Sequence, residues 1–286
     1  MSTSNPIEAV PLYVNSERVE EELAALGIGA EDALTPDKIA PFDQLHYHGT
    51  ETVRLAAALL GLGPKSHVLD IGSGFGGPAR HLAHSTGCRV TAIELQSAMH
   101  AAAVRLTERC GLSDRIEHIC ADAQFYPLPD GAFDAAVSWL TLVHIPERRR
   151  LLARLARALR AGGGLFLEDL IMRTPFKGQN LRDFEALQFA HSFTDIPAYE
   201  ADLDAAGFRI VEAVNMTADW TEFTADRLVA FEADRCRYVA VHDLRTYDAL
   251  HRFYAAVVRF YRSGSMGGVR IFAQVGSSDD LSKIAR

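Results

Sequence analysis

Apolar residues fall into two alternating rhythms through the middle of this chain. Short apolar runs at 67–71 (HVLDI), 89–93 (RVTAI), 116–120, 133–139 (FDAAVSW) and 165–170 predict β-strands. Between them lie stretches with apolar positions three and four apart. One begins near Pro78, where a missing N–H costs nothing in the first turn of a helix. A second covers 96–111, with Met99, Ala103 and Leu106 on one face, and a third covers about 146–159. Strand and helix in turn predict a parallel sheet covered on both faces. Right-handed crossovers then bring the strand carboxyl ends to one edge, where open sheets of this kind hold ligands.

The flanks are less regular. Residues 12–26 and 50–60 read as helices, and 27–41 as a turn-rich stretch. Beyond the fifth strand, 181–191 and 197–206 look helical, and 208–216 (FRIVEAVNM) reads as a strand. A helical block over 221–262, rich in aromatic residues, precedes a last strand at 269–275 (VRIFAQV). That block is expected to form a lid on the ligand edge. The predicted organisation is a cap segment (1–49), a core (50–219), a helical lid (220–266), and a final core strand with a tail (267–286).

Composition narrows the function. The 286 residues are 48% hydrophobic and 23% charged, which suits a globular protein. A formal charge of −8 weighs against binding a phosphate backbone, so Arg148, Arg149, Arg150, Arg154 and Arg157 read as a solvated helix face. The four cysteines (Cys88, Cys110, Cys120, Cys236) form no C-x-x-C pair, which excludes the usual zinc and disulfide patterns. Cys120, in a predicted buried strand, is expected to be inert. His46 and His48 make an H-x-H pair, but no acidic third ligand adjoins it, and no metal is expected. The N-terminus lacks a secretory pattern, and no run approaches roughly 18 apolar residues. The expectation is a cytoplasmic monomer or homodimer acting on a small molecule, with no nucleic-acid or membrane partner.

The most informative segment is Val68-Leu69-Asp70-Ile71-Gly72-Ser73-Gly74-Phe75-Gly76-Gly77. Glycines at a strand-to-helix turn let a ligand approach the backbone, and Gly72, Gly74 and Gly77 satisfy G-x-G-x-x-G. Glu94, about twenty residues on, stands where an acid meets ribose hydroxyls. Asp70 inside the turn would repel a pyrophosphate and favour a cationic ligand. This counts against a nicotinamide-dependent oxidoreductase, the first rival reading.

Further segments follow in order: Ala121-Asp122-Ala123 after the third strand, FDAAVSWLTLVHI at the fourth, and LRAGGGLFLED into the fifth. With these the chain resembles the class I S-adenosylmethionine-dependent methyltransferases over about residues 49–169. The resemblance implies an α/β, doubly wound, Rossmann-like sheet of seven mostly parallel strands, with N-terminal helices and a helical lid inserted before the last strand. It also implies S-adenosylmethionine as cofactor. Gly72 and Gly74 would line its methionine part, Glu94 hold the ribose and Asp122 meet the adenine amino group. Asp70, Ser73, Leu95, Gln96, Ala123 and Trp139 would complete the site. DQLHYHGTETVRLAA and the helical insert are similar to enzymes that methylate sarcosine, dimethylglycine or phosphoethanolamine. In those enzymes an N-terminal segment closes over the cofactor, which makes Gln44 and Tyr47 cofactor or substrate contacts here. Enzymes that methylate carbon or oxygen share the same plan.

His144 follows the fourth strand and is a candidate general base, or a residue that packs or caps. His46 and Tyr47 are the other catalytic candidates. Tyr47, His144, Arg173, Trp220 and Tyr238 are the substrate-binding candidates; aromatics at helical spacing can equally be core. Glu168 and Asp169 end the fifth strand, either facing a substrate ammonium or as solvated acids. Arg173, Lys177 or Arg262 would serve an acidic acceptor. The reading is methyl transfer to a small molecule, best matched by a small amine, with O- or C-methylation as the alternative. A non-catalytic cofactor-binding protein is the other rival.

Overall fold

The computed structural model describes residues 15–187 and 190–276. In chain order its elements are α1 (Arg18–Ala25), α2 (Pro36–Asp43), α3 (Thr50–Leu59), β1 (His67–Ile71), α4 (Gly77–Thr86), β2 (Arg89–Glu94), α5 (Ser97–Arg109), β3 (Ile116–Cys120) and β4 (Phe133–Trp139). A 3-10 turn (Leu142–His144) leads to α6 (Arg148–Ala158) and β5 (Leu159–Met172). There follow α7 (Gly178–Leu187), α8 (Ile196–Ala205), β6 (Phe208–Asn215), α9 (Thr217–Ala233), α10 (Arg235–His242), α11 (Leu244–Arg262) and β7 (Met266–Val275).

Among the described residues the strands form one sheet in the order β3-β2-β1-β4-β5-β7-β6. β1 lies inside it, parallel to β2 (Ile71 beside Ile93) and to β4 (Asp70 beside Val137). Its apolar run is continuous because helices cover both faces. β7 runs antiparallel to both β5 and β6. Strand order reverses between β1 and β4, and that switch point is where a crevice opens at the carboxyl edge.

The structure departs from the expected elements in instructive places. The stretch expected to be turns holds α2. Pro36 takes its first turn, where no N–H is needed, and the Thr35 hydroxyl accepts the Lys38 N–H at 3.3 Å as the N-cap. The helix expected over 12–26 is described only as α1, its first residues lying outside the described ones; residues 188–189 of the 181–191 helix do too. Gly162–Gly164 do not interrupt β5: its pairing with β4 jumps from Phe133–Leu159 to Ala135–Gly164, so the glycines fall in an irregular stretch. The helical block begins at Thr217 and breaks into α9, α10 and α11.

Two burial expectations are also corrected. Cys120 is exposed, because β3 is an edge strand. The α6 arginines are not all solvated. Arg148 is buried, paired with Asp202 at 2.5 Å and lying 4.1 Å over the Tyr199 ring. Arg154 donates to the carbonyl of Ala123 at 2.8 Å and to those of Gln124 and Tyr126, which have no ladder to join.

The insert shares a core with the cap and the last strand. The fully buried Trp220 of α9 lies on Gly268 of β7 so closely that a Cβ there would stand 1.9 Å from the ring. Tyr47 meets the same indole edge-on at 4.8 Å. No helix of the described residues is long and apolar enough to cross a membrane.

Candidate functional site

The chain leaves β1 through a glycine loop that Glu94 holds in place. At the end of β2, this carboxylate accepts the Gly74 N–H at 2.9 Å and the Gln96 N–H at 2.8 Å. Gly72 adopts φ +73°, and a Cβ there would fall 2.2 Å from Thr141 Cγ2. Only glycine lets the two strand ends come this close. Beyond β4, Leu140 takes a left-handed φ of +55° and donates its N–H to the Glu168 carbonyl at 2.7 Å. Trp139 stacks on His46 of the cap with centroids 5.3 Å apart.

These ends and the cap line a cleft at the carboxyl edge of the sheet. Asp43, Leu45 and His46 form its cap side. Asp70, the glycine loop through Phe75, and Pro78 form its floor, with Glu94, Leu95, Gln96 and Met99 beside them. Trp139, Leu140, Thr141 and His144 close it.

Asp70 dominates the electrostatics. It is buried, and its Oδ2 has no hydrogen-bond partner among the described residues. Burial, and then the neighbouring Glu94, push its carboxyl up to about 8. Burial raises Glu94 as well. An unpaired buried carboxyl is costly. It suits a ligand that brings a positive charge and opposes one that brings phosphates. His46 presents its Nε2–H to the Gly49 carbonyl at 2.9 Å, and burial lowers it to about 4, so the ring is neutral at pH 7.

Of the residues singled out from sequence, Asp70, Gly72, Ser73, Gly74, Glu94, Leu95, Gln96, Trp139, His46 and His144 meet on this wall. Others lie off it. The Gln44 amide donates to Asp43 Oδ1 at 2.9 Å. Tyr47 is buried behind His46, against Trp220 and Phe223. Asp122 accepts the Gln124 N–H at 2.8 Å, and Ala123 packs in the core below α6. Trp220 is core, the Arg173 stem lies over Gly267, and Tyr238 faces a different cleft. Glu168 pairs with Arg270 at 2.7 Å, and Asp169 accepts the Tyr199 hydroxyl at 3.0 Å, so both strand-end acids are engaged inside the protein. His48 faces Asp219 at 2.6 Å and His46 faces a carbonyl, which separates the H-x-H pair.

Sequence reasoning missed Asp43, Leu45, Phe75, Met99, Leu140 and Thr141. Asp43 and Leu45 flank Gln44 in a segment already singled out. Leu140 and Thr141 lie in the segment FDAAVSWLTLVHI already singled out, but their place on the wall depends on Gly72 far away in the chain.

Residues 68–163 match the family model described as a methyltransferase domain. The chain is 34% identical over 166 residues to a sarcosine/dimethylglycine N-methyltransferase of Halorhodospira halochloris, covering 57% of this chain and 58% of that one. It is 24% identical over 282 residues to a glycine/sarcosine/dimethylglycine N-methyltransferase of Actinopolyspora halophila, covering 97% of this chain and 46% of that one. The chain thus spans about half the length of these curated relatives. Among solved structures, phosphoethanolamine N-methyltransferase 2 of Haemonchus contortus superposes with a TM-score of 0.81 at 18% identity, covering 97% of this chain and 61% of that one. Residues 68–163 thus resemble a methyltransferase domain, and the seven-stranded sheet has the fold of class I S-adenosylmethionine-dependent methyltransferases.

Proposed function

We propose that this chain transfers a methyl group from S-adenosylmethionine to a small-molecule acceptor, with an amine nitrogen as the accepting atom. The observation that carries the reading is the buried, unpartnered carboxyl of Asp70 on the wall of the cleft. S-adenosylmethionine fits that wall, since it has an ammonium, a sulfonium and a ribose diol but no phosphate. The bound cofactor supplies an electrophilic methyl on a sulfonium leaving group.

The chain's residues bind, orient and desolvate. Asp70 takes up positive charge, and the Gly72–Gly74 backbone admits close approach. Glu94 keeps lone pairs for hydroxyls beyond its two backbone bonds. Trp139, Leu95 and Met99 offer apolar walls, and Asp122 stands for the adenine side. Gln44 and Tyr47 brace the cap that excludes water. An amine must present its lone pair, so binding favours the neutral form. His46 and His144 position it, and for a hydroxyl acceptor His144 would take the proton.

The N-methyltransferase names of the relatives support an amine acceptor. A net charge of −8 supports a small-molecule partner rather than nucleic acid. In the same reading residues 1–49 cap the core (50–219), 220–266 cover it, and 267–286 complete it. The protein then works in the cytoplasm as a monomer or homodimer.

The test is methyl-labelled S-adenosylmethionine with a panel of acceptors: glycine, sarcosine, dimethylglycine, phosphoethanolamine, phenols, hydroxy acids and prenyl diphosphates. Label on an amine is expected. Label only on a phenol or an acid overturns the amine, and no label on any acceptor overturns small-molecule transfer.

A further inference from the structure

A second cleft lies on the other side of the cap segment. Phe42 faces it, whereas the next residue, Asp43, faces the first cleft. Its remaining walls come from α1, α9, α10 and α11, around an open cleft of about 310 Å³. Phe42, Phe231, Tyr238 and Tyr254 give it aromatic surface; Phe231 meets Tyr238 at 4.9 Å and Tyr254 at 5.1 Å.

The acids on this wall are already engaged. Glu22 takes Arg237 at 2.5 Å and His242 at 2.9 Å, and Asp234 takes Arg237 at 2.7 Å. Two arginines on the same wall are different. Among the described residues neither Arg227 nor Arg18 has a carboxylate within ion-pair distance. Arg18 donates to the Phe42 carbonyl at 3.3 Å. The Arg227 guanidinium carbon lies 4.5 Å over the Tyr254 ring and 5.1 Å over Tyr47, with the Tyr47 hydroxyl beside it. Its Nε is buried without a hydrogen-bond partner. A guanidinium has five N–H donors in a rigid fork that matches carboxylate and phosphate. The cleft is thus locally cationic on a chain of charge −8, a setting that concentrates anions.

We propose that this cleft binds a small organic anion, a carboxylate or phosphate monoester with an apolar body. The anionic group meets Arg227 and Arg18, and the body lies on the aromatic wall. This site stands whether or not the first cleft transfers methyl groups, so its test reads binding.

The full chain is titrated by calorimetry with phenyl phosphate, benzoate and inorganic phosphate at low salt. Phenyl phosphate or benzoate is expected to bind at least tenfold more tightly than inorganic phosphate, more weakly as salt rises. Arg227→Gln and Arg18→Gln should each weaken it tenfold or more. Arg18 lies 5.5 Å over Phe75 and away from the Tyr47–Tyr254 rings that hold Arg227, so its variant keeps the test intact if Arg227→Gln fails to fold. Absence of binding by all three probes, or unchanged binding in both variants, overturns the proposal. Repeating the titration with S-adenosylhomocysteine reads whether the two clefts are coupled: tighter binding shows coupling, and unchanged binding shows independence. Both outcomes uphold the site.

Discussion

Arg80 and Asp43 meet inside the protein, Nη2 to Oδ2 at 2.8 Å, with the arginine side chain wholly buried. The same guanidinium donates to the Phe75 carbonyl at 2.6 Å, the Ala103 carbonyl at 3.2 Å and the Thr107 hydroxyl at 3.1 Å. One side chain therefore joins the cap helix, the glycine loop and α5. Asp43→Ala leaves a buried cation without its partner and is expected to cost about 3–5 kcal/mol. Chemical denaturation checks this, and a cost below about 1 kcal/mol would refute it. Adding Arg80→Met should recover part of the loss, because it removes the stranded charge.

Asp70 predicts opposite effects on stability and binding. Its folded value of about 8 lies far above the unfolded 3.8. Between those pH values the unfolded chain sheds the proton first, so the share Asp70 gives the unliganded fold is lost as pH climbs from about 4 to about 8. Asp169, pushed up to about 7 by burial, acts in the same direction. Asp70→Asn should raise the melting temperature of the free protein at pH 8. It should weaken S-adenosylhomocysteine roughly 10–100-fold, the loss of one charge-assisted contact. In the parent, binding should tighten from pH 6 to 9 and release a proton, seen as calorimetric heats that vary with buffer.

Two buried histidines set the acid side. Burial lowers His46 to about 4 and His118 to about 3. Their stabilising share is complete above the unfolded value of about 6.5 and is lost as pH falls through those lower values. This opposes the acid-side gain from Asp70 and Asp169, so the effect is read as a difference: His118→Phe should gain melting temperature relative to the parent as pH falls from 6.5 to 4, and an unchanged difference would contradict the assignment.

Gly268→Ala tests the contact between the insert and the sheet. A methyl group there would meet the Trp220 ring at 1.9 Å, and overpacking of this kind typically costs about 1–3 kcal/mol. The outcome is read from urea midpoints, with Gly264→Ala as a control for backbone strain, since Gly264 adopts φ +74° with no neighbour within 4 Å of an added Cβ.

His144→Ala separates the acceptor classes. With an amine acceptor, turnover should stay within a few-fold of the parent; a required base would cost roughly 10²–10⁴-fold. A loss of that size at saturating substrate removes the amine reading and favours a hydroxyl.

The sheet was readable where burial on both faces leaves an unbroken apolar run. β1, β3 and β4 begin and end at the residues the pattern predicts. The floor of the cleft was readable for a related reason: Gly72, Asp70 and Glu94 are consecutive with those strand ends. The cap was harder. Pro36 and Pro41 look like helix breakers, yet one opens α2 and the other lies near its end. Contacts across distance left no local trace. Arg80 and Asp43 are 37 positions apart, Gly72 and Thr141 69. Arg227 resembled any other basic position on a helix until the fold surrounded it with rings.

Phe42 and Asp43 are neighbours in the chain but face different clefts. A ligand that shifts this stretch on one side must change the wall presented on the other. Thermodynamics makes such an exchange reciprocal: whatever factor occupancy of the first cleft applies to affinity in the second, the second returns to the first. The cap is then a shared partition between the two clefts.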